Sequence, residues 1–307
     1  DRVTGVPLEP RSALAIWEPN RERVSLYAGS GGAVRQRQEI AGTLGLAADQ
    51  LRVISPDVGG NFGTRNRVYV EFPLVVWAAF SLRRSVKFTA TRADSFVSDY
   101  QGRDLVTRVA LALSKHGDFL ALRADNVSNV GARVVSLSPL AKGTALVTGS
   151  YAIPAATARA RAVFSNTVPT QAYRSSGRPE VTFAIERLVE LAAQKLDLDP
   201  VAMRLRNLVT RRAMPYPNAL GMVYDSGDYG ACLERALSGV GTREAHRCRE
   251  VSGGRLRGIG IAHYVESSTG APVERAEITV LEAGRVRIAT GTQPSGQGHE
   301  TSFAQVA

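Results

Sequence analysis

The chain has 307 residues, 44% of them hydrophobic and 21% charged, which is enough apolar material for a folded core and enough length for about two domains. Its formal net charge is +10, with 34 arginines and four lysines, so anionic partners, nucleic acid among them, come into question. Two cysteines, Cys232 and Cys248, can build neither a disulfide framework nor the four-thiolate site of an iron–sulfur cluster, so any electron-transfer centre belongs to another chain.

The chain begins Asp1-Arg2-Val3, without the charged-then-apolar pattern of a targeting segment. Val34 to Leu44 has apolar residues at helical spacing and ends at Gly45, a C-cap residue. Leu51 to Ile54 is a short apolar run stopped by Pro56-Asp57, which predicts a strand entering a turn. Val68 to Leu82 predicts a mostly buried helix with Pro73 in its first turn. Its apolar core, Phe72 to Phe80, falls far short of the roughly 20 residues that cross a bilayer. Val86 to Thr89 and Leu105 to Leu113 predict strands. Gly117-Asp118 turns the second of these into Phe119 to Asp125, the other arm of a hairpin.

Glu180 to Leu196 predicts an amphipathic helix with an apolar set of Phe183, Ile185, Leu188, Val189, Ala192 and Leu196, preceded by Pro179. Asp199-Pro200 opens a shorter helix through Leu208, and Met214 to Asn218, with Pro215 and Pro217, predicts a linker. A new unit begins near Gly230. Arg243, Arg247, Arg249, Arg255 and Arg257 form the densest basic stretch. No aromatic residue lies within it to stack on bases, so it is read as a solvated or subunit-facing surface. Ala276 to Leu281 and Val286 to Ala289 predict a second hairpin through Gly284. The pattern is α+β with mixed sheets and packed helices, in two domains divided as 1–215 and 230–307 by a linker at 216–229.

Three glycine-punctuated loops carry the candidate chemistry. GGNFG, Gly59 to Gly63, frees the backbone for positive φ and close approach, and its amides can form an anion site; a plain strand-to-helix turn reads the same way. It is neither a dinucleotide fingerprint nor a phosphate loop. AYRSSGRPE, Ala172 to Glu180, sets Arg174 and Arg178 beside two serines ahead of a helix, where a guanidinium can orient an oxyanion or carbonyl; a solvated surface loop is the alternative. GTQPSGQGHET, Gly291 to Thr301, holds Gln297 between Gly296 and Gly298, an amide that can donate and accept at once; otherwise His299 and Glu300 simply begin a helix. The four histidines lack the spacing of an HExxH zinc site, there is no GxSxG nucleophile, and Asp225 and Asp228 read as a polar turn.

Together, in this order, the loops resemble the molybdopterin-binding large subunit of the xanthine dehydrogenase/aldehyde oxidase/CO dehydrogenase family. The likeness extends through Leu44 to Asn66, Val68 to Phe96, Glu186 to Val209 (with its Arg-x-x-Asn-type tail) and RGIGIAHYV, Arg257 to Val265, similar to the opening strand of the family's second domain. The resemblance implies two molybdopterin-binding domains, the second incomplete. It implies molybdenum held by a pyranopterin or its cytosine dinucleotide. The reaction would be oxidation of an aldehyde or N-heterocycle with water as oxygen source. Electrons would leave through an iron–sulfur small subunit and an FAD medium subunit, in a dimer of heterotrimers, in the cytoplasm with the periplasm left open. No nucleic acid enters that chemistry.

Position by position, the resemblance puts Phe62 and Arg174 at the reacting centre, as an active-site wall and a substrate-orienting group. Gly60, Phe62, Gly63, Ser175, Gly296, Gln297 and Gly298 would contact the cofactor. No protein side chain is expected to ligate the metal.

Several departures qualify the likeness. Ser175 stands where copper-containing CO dehydrogenases have cysteine. Asn61 replaces a glycine, Asn66 replaces a substrate-binding glutamate of xanthine-type enzymes, and a glutamine expected near Ser30 or Gly31 is missing. The family's glutamate base lies beyond the third loop, and this chain ends at Ala307. The expectation is a piece of a longer subunit, inactive alone. Two other readings stay open: a non-catalytic or assembly subunit, and an anion or nucleic-acid binder.

Overall fold

A computed structural model describes residues 2–240, 251–256, 259–267 and 273–307. The chain forms two compact units interleaved along the sequence: unit one is 1–102, 168–174 and 268–307, and unit two is 103–167 and 175–267.

Unit one begins with β1 (Val3–Thr4), β2 (Ser12–Glu18), β3 (Arg23–Ala28), α1 (Ala33–Leu44), β4 (Leu51–Ile54), α2 (Glu71–Leu82), β5 (Val86–Thr89), α3 (Arg92–Ser98) and β6 (Gln101–Gly102). Its main sheet runs β4-β3-β2-β5, with β2 antiparallel to both neighbours and β3 parallel to β4. A parallel pair needs a crossover, and α1 supplies it. That helix ends where expected, at Gly45 with φ +67°. Ala13, Ala15, Val24, Leu26 and Ala28 point from β2 and β3 onto Ile40, Ala41, Phe72, Val75, Val76 and Ala79. Each large apolar side chain buried there contributes about 1.5–3 kcal/mol.

The predicted helix at 68–82 starts three residues later, at Glu71, with Pro73 still in the first turn, where its missing amide proton has no intrahelical acceptor to lose. It is also less buried than its composition suggests. One ridge meets the sheet, while Leu74 and Trp77 are exposed. β2, β3 and α3 have no counterpart among the elements expected from the sequence. The last announces itself by a capping box: the Thr91 hydroxyl accepts from the Asp94 amide and the Asp94 carboxylate accepts from the Thr91 amide.

Unit two contains β7 (Leu105–Leu113), β8 (Phe119–Gly131), α4 (Ser138–Ala145), β9 (Ala155–Phe164), α5 (Arg178–Leu196), α6 (Pro200–Asn207), β10 (Tyr216–Pro217), β11 (Val223–Tyr224), α7 (Tyr229–Val240), β12 (Val251–Ser252) and β13 (Arg255–Leu256). β8 lies between antiparallel β7 and parallel β9. Val181, Ile185, Val189, Ala192 and Ala193 of α5 pack with Phe119, Leu122, Ala124, Tyr151 and Met203. Phe183 does not join them and is 74% exposed. At about 100° per residue it points nearly opposite to Ile185, so the two cannot share one apolar stripe.

A buried polar hub ties α5 to α6. Glu186 accepts from Arg204 Nε at 2.9 Å, from the His263 amide at 3.0 Å and from the Tyr151 hydroxyl. The Arg-x-x-Asn tail thereby gains a physical role. Arg204 pairs with Glu186. Asn207 takes the Phe119 amide on Oδ1 and gives Nδ2 to the Gly117 and Met203 carbonyls, all at 2.8 Å. The segment read as a linker, Met214 to Asn218, runs into the β10–β11 hairpin, with Asn218 buried. Residues 259–267 form no strand. The rest of the predicted second-domain strand, Arg257 and Gly258, lies outside the described residues. So do Cys248, Arg243, Arg247, Arg249 and the side chain of Arg255.

The chain closes in unit one with β14 (Ala276–Val280) paired antiparallel to β15 (Val286–Thr290), the predicted hairpin, and α8 (His299–Val306). Among the described residues no helix is long and apolar enough to cross a membrane.

Candidate functional site

In unit one, β4 delivers the chain to the first glycine loop. Phe62 (φ +51°) and Gly63 (φ +90°) are both left-handed, and the Phe62 side chain is 47% exposed. The turn is held from inside. Asn61 Oδ1 accepts from the Gly63 amide at 2.8 Å, and the Asn61 carbonyl accepts from the Thr64 amide at 3.0 Å and hydroxyl at 2.9 Å. Glu9 Oε2 accepts from the Gly59 amide at 2.6 Å. Tyr69 Oη donates to the Thr64 carbonyl at 3.0 Å. Burial, with Asp99 nearby, pushes the Tyr69 hydroxyl well above its ordinary range, so it stays a donor. Arg11 stacks on the Tyr69 ring at 4.4 Å and pairs with Glu71 and Asp99, which fixes the support beneath the loop.

The first half of the second loop meets the first. The Arg174 amide donates to the Phe62 carbonyl at 2.9 Å. A Cβ at position 63 would stand 2.7 Å from the Ala172 carbonyl oxygen, so only glycine permits this approach. Arg174 itself is exposed. Gln171, two per cent exposed, accepts on Oε1 from the Ala172 amide at 2.7 Å, while its Nε2 has no hydrogen-bond partner.

The third loop joins the same unit through a residue the sequence did not single out. Gln293 Nε2 donates to the Ser30 carbonyl at 3.1 Å and to Ser55 Oγ. Gln297 is exposed, with Oε1 taking the Ser295 amide at 2.5 Å. Asn61, Asn66 and Gly31 lie together: a Cβ at position 31 would stand 1.9 Å from Asn66 Oδ1 and 2.7 Å from Asn61 Nδ2, so a side chain there would require both asparagine side chains to move.

Ser175 and the rest of the second loop belong to unit two. Ser175, Ser176 and Gly177 have φ of +66°, +47° and +89° in succession, immediately before α5. A Cβ on Gly177 would fall 1.8 Å from the Pro139 carbonyl oxygen. Ser176 Oγ lies 2.9 Å from Ser138 Oγ. Arg178, read from sequence as a companion of Arg174, is buried instead, paired with Glu266 and donating to Ser267 Oγ at 2.8 Å. Its role is structural pairing, because a buried guanidinium needs a carboxylate.

A molybdopterin cofactor-binding domain family matches residues 1–208, and a second molybdopterin cofactor-binding domain matches residues 234–307. The gamma subunit of the 6-hydroxypseudooxynicotine dehydrogenase complex of Paenarthrobacter nicotinovorans is 33% identical over 100% of this chain and 40% of its own length. The carbon monoxide dehydrogenase large chain of Hydrogenophaga pseudoflava is 30% identical over 99% of this chain and 41% of its own. The crystal structure of quinoline 2-oxidoreductase from Pseudomonas putida 86 superimposes with a TM-score of 0.90 at 28% identity, covering 99% of this chain and 41% of that one. This chain therefore spans about two fifths of the length of these relatives.

Proposed function

The chain belongs to the molybdopterin cofactor-binding domain family, and on that premise we propose that it is part of the catalytic large subunit of a molybdenum-dependent hydroxylase. The substrate is an aldehyde or N-heterocycle, oxidised with water as oxygen source. Electrons pass to iron–sulfur and FAD subunits, in a cytoplasmic dimer of heterotrimers. In this reading the two cofactor-binding domains divide at 216–229, a stretch that lies within the second compact unit. The observation that carries the reading is the Arg174–Phe62 backbone bond, which joins the first loop to the first residues of the second within unit one.

The residues fit a pterin-type group. Such a ring system presents N–H and carbonyl edges and needs close backbone approach. A Cβ at Gly296 or Gly298 would meet nothing within 4 Å, so that backbone faces open space. Gln297 exposes an amide Nε2 beside them, and the Gln171 Nε2 donor is buried without a partner. In this reading Gly60, Phe62, Gly63, Gly296, Gln297 and Gly298, all in unit one, would hold the group. When bound, its molybdenum would supply the two-electron acceptor and the Lewis-acid activation of water.

The chain's own residues do the rest. The exposed Phe62 ring walls one side and limits water access. The Arg174 guanidinium, a planar fork of fixed positive charge, orients a carbonyl or ring-nitrogen acceptor and stabilises negative charge that develops on it. Gln297 donates through Nε2 because its Oε1 is engaged by Ser295. The decisive experiment is molybdenum and pterin analysis of the complete complex, with turnover of an aldehyde and of quinoline. Stoichiometric cofactor with turnover supports the proposal. A complex without molybdenum or pterin overturns it in favour of a non-catalytic subunit.

A further inference from the structure

The outer face of the β7–β8–β9 sheet carries charge that unit two does not neutralise. Strand alternation and register send Arg108 and Ala110 of β7, Arg123 and Asp125 of β8, and Thr157, Arg159 and Arg161 of β9 to the same side. The opposite side packs on α5 through Leu122 and Ala124. Asp125 stands directly between Arg108 and Arg159, with Arg123 two residues before it and Arg161 on the diagonal. One carboxylate thus faces four guanidinium groups. It binds Arg161, whose NH2 donates to Asp125 Oδ2 at 2.7 Å, and its Oδ1 has no partner.

No two of these arginines stand directly opposite each other; Arg108 and Arg159 each meet Arg123 on a diagonal, about 7–8 Å away, where like charges repel more weakly than in a facing pair. A groove of about 430 Å³ runs between Arg108, Arg123, Asp125, Thr157 and Arg159 over the small side chain of Ala110. All three of these arginines are exposed. A small anion in such a groove stays solvated and gains little from an exposed pair. A surface laid over it excludes water and lets each planar fork take a carboxylate in two parallel hydrogen bonds. Nucleic acid fits less well, because no aromatic side chain lines the groove and Asp125 would face phosphate.

We propose that this sheet face docks an acidic protein partner, which sets carboxylates against Arg108, Arg123 and Arg159 around a hydrogen-bond donor for Asp125. The test uses the full chain, a fluorescein-labelled glutamate-rich peptide and a labelled DNA duplex at low ionic strength. The triple variant Arg108→Ser/Arg123→Ser/Arg159→Ser is compared with a charge-matched control, Arg35→Ser/Arg52→Ser/Arg84→Ser. Peptide binding falls about tenfold or more in the sheet variant and less than about twofold in the control. The melting temperature of the sheet variant does not fall, because repulsion is relieved. Arg123→Gln alone gives a smaller loss in the same direction, which guards against misfolding of the triple variant. Equal weakening in both triple variants reduces the effect to net charge and overturns the proposal. So does duplex binding that depends on the sheet arginines more strongly than peptide binding does.

Discussion

The Arg174 amide donates to the Phe62 carbonyl at 2.9 Å, so the residue that walls the proposed site and the residue that orients substrate in it share one backbone link. Phe62 keeps φ +51°, a conformation that costs a non-glycine residue roughly 1 kcal/mol or more, although its side chain is only half buried.

Phe62→Gly separates the ring's part in folding from its part in the site. Glycine relieves roughly 1 kcal/mol of left-handed strain, which offsets most of the loss of about 1–1.5 kcal/mol that comes with the buried half of the ring, so stability changes by about 1 kcal/mol or less. In the complete enzyme kcat/KM falls by about tenfold or more. Gly63→Ala does the reverse. Its new methyl meets the Ala172 carbonyl oxygen in a φ unsuited to alanine, so stability drops by about 2 kcal/mol or more. Denaturant unfolding checks both variants. A Phe62→Gly protein with unchanged kcat/KM removes Phe62 from the site.

Gln293 clamps the third loop by giving both Nε2 protons to the Ser30 carbonyl and Ser55 Oγ. Gln293→Leu removes both bonds while leaving the core clusters intact. Hydrogen exchange at residues 291–298 should rise about tenfold or more, and the melting temperature should move by only a few degrees. Unchanged exchange in that segment means that the loop is held by something else.

The helices with caps, α1 and α6, and both hairpins were legible because glycine, proline and alternation mark their ends in the sequence. The missed strands lack that contrast. β2 reads Ser-Ala-Leu-Ala-Ile-Trp-Glu, apolar on both faces, and β9 alternates alanine with arginine, neither strongly strand-forming. The loops that carry the proposed site were legible as glycine clusters. Their supports were not, since Glu9 and Gln293 act on Gly59, Ser30 and Ser55, at least 50 residues away in sequence, which no local spacing records. The pairing of Glu186 with Arg204 was not legible either, because the two lie on successive helices, 18 residues apart.

Arg204→Met tests that pair. It leaves Glu186 charged and buried without its guanidinium and should cost about 3–5 kcal/mol by denaturant unfolding. The double change Glu186→Gln/Arg204→Met should cost clearly less than the two single losses combined, because the only carboxylate it leaves without Arg204 is the partly exposed Glu190. Additive losses would mean that the two side chains act independently.

His263 gives the fold a defined response to acid. Its Nδ1 lies 2.6 Å from Ser150 Oγ and its Nε2 3.2 Å from the Tyr229 carbonyl. A carbonyl only accepts, so Nε2 carries the proton and Nδ1 accepts from the serine. Burial lowers the His263 pKa from its ordinary 6.5, which keeps the ring neutral and preserves that arrangement. Below pH 6.5 the unfolded chain takes up a proton that the folded chain refuses, so stability falls as pH drops from 6.5 toward the depressed folded value and is restored as pH rises. Replacing the ring in His263→Asn removes this proton linkage. Thermal melting between pH 7.5 and 5.5 should show a steeper loss for the native sequence than for the variant, and parallel curves would exclude His263 as the source of acid sensitivity.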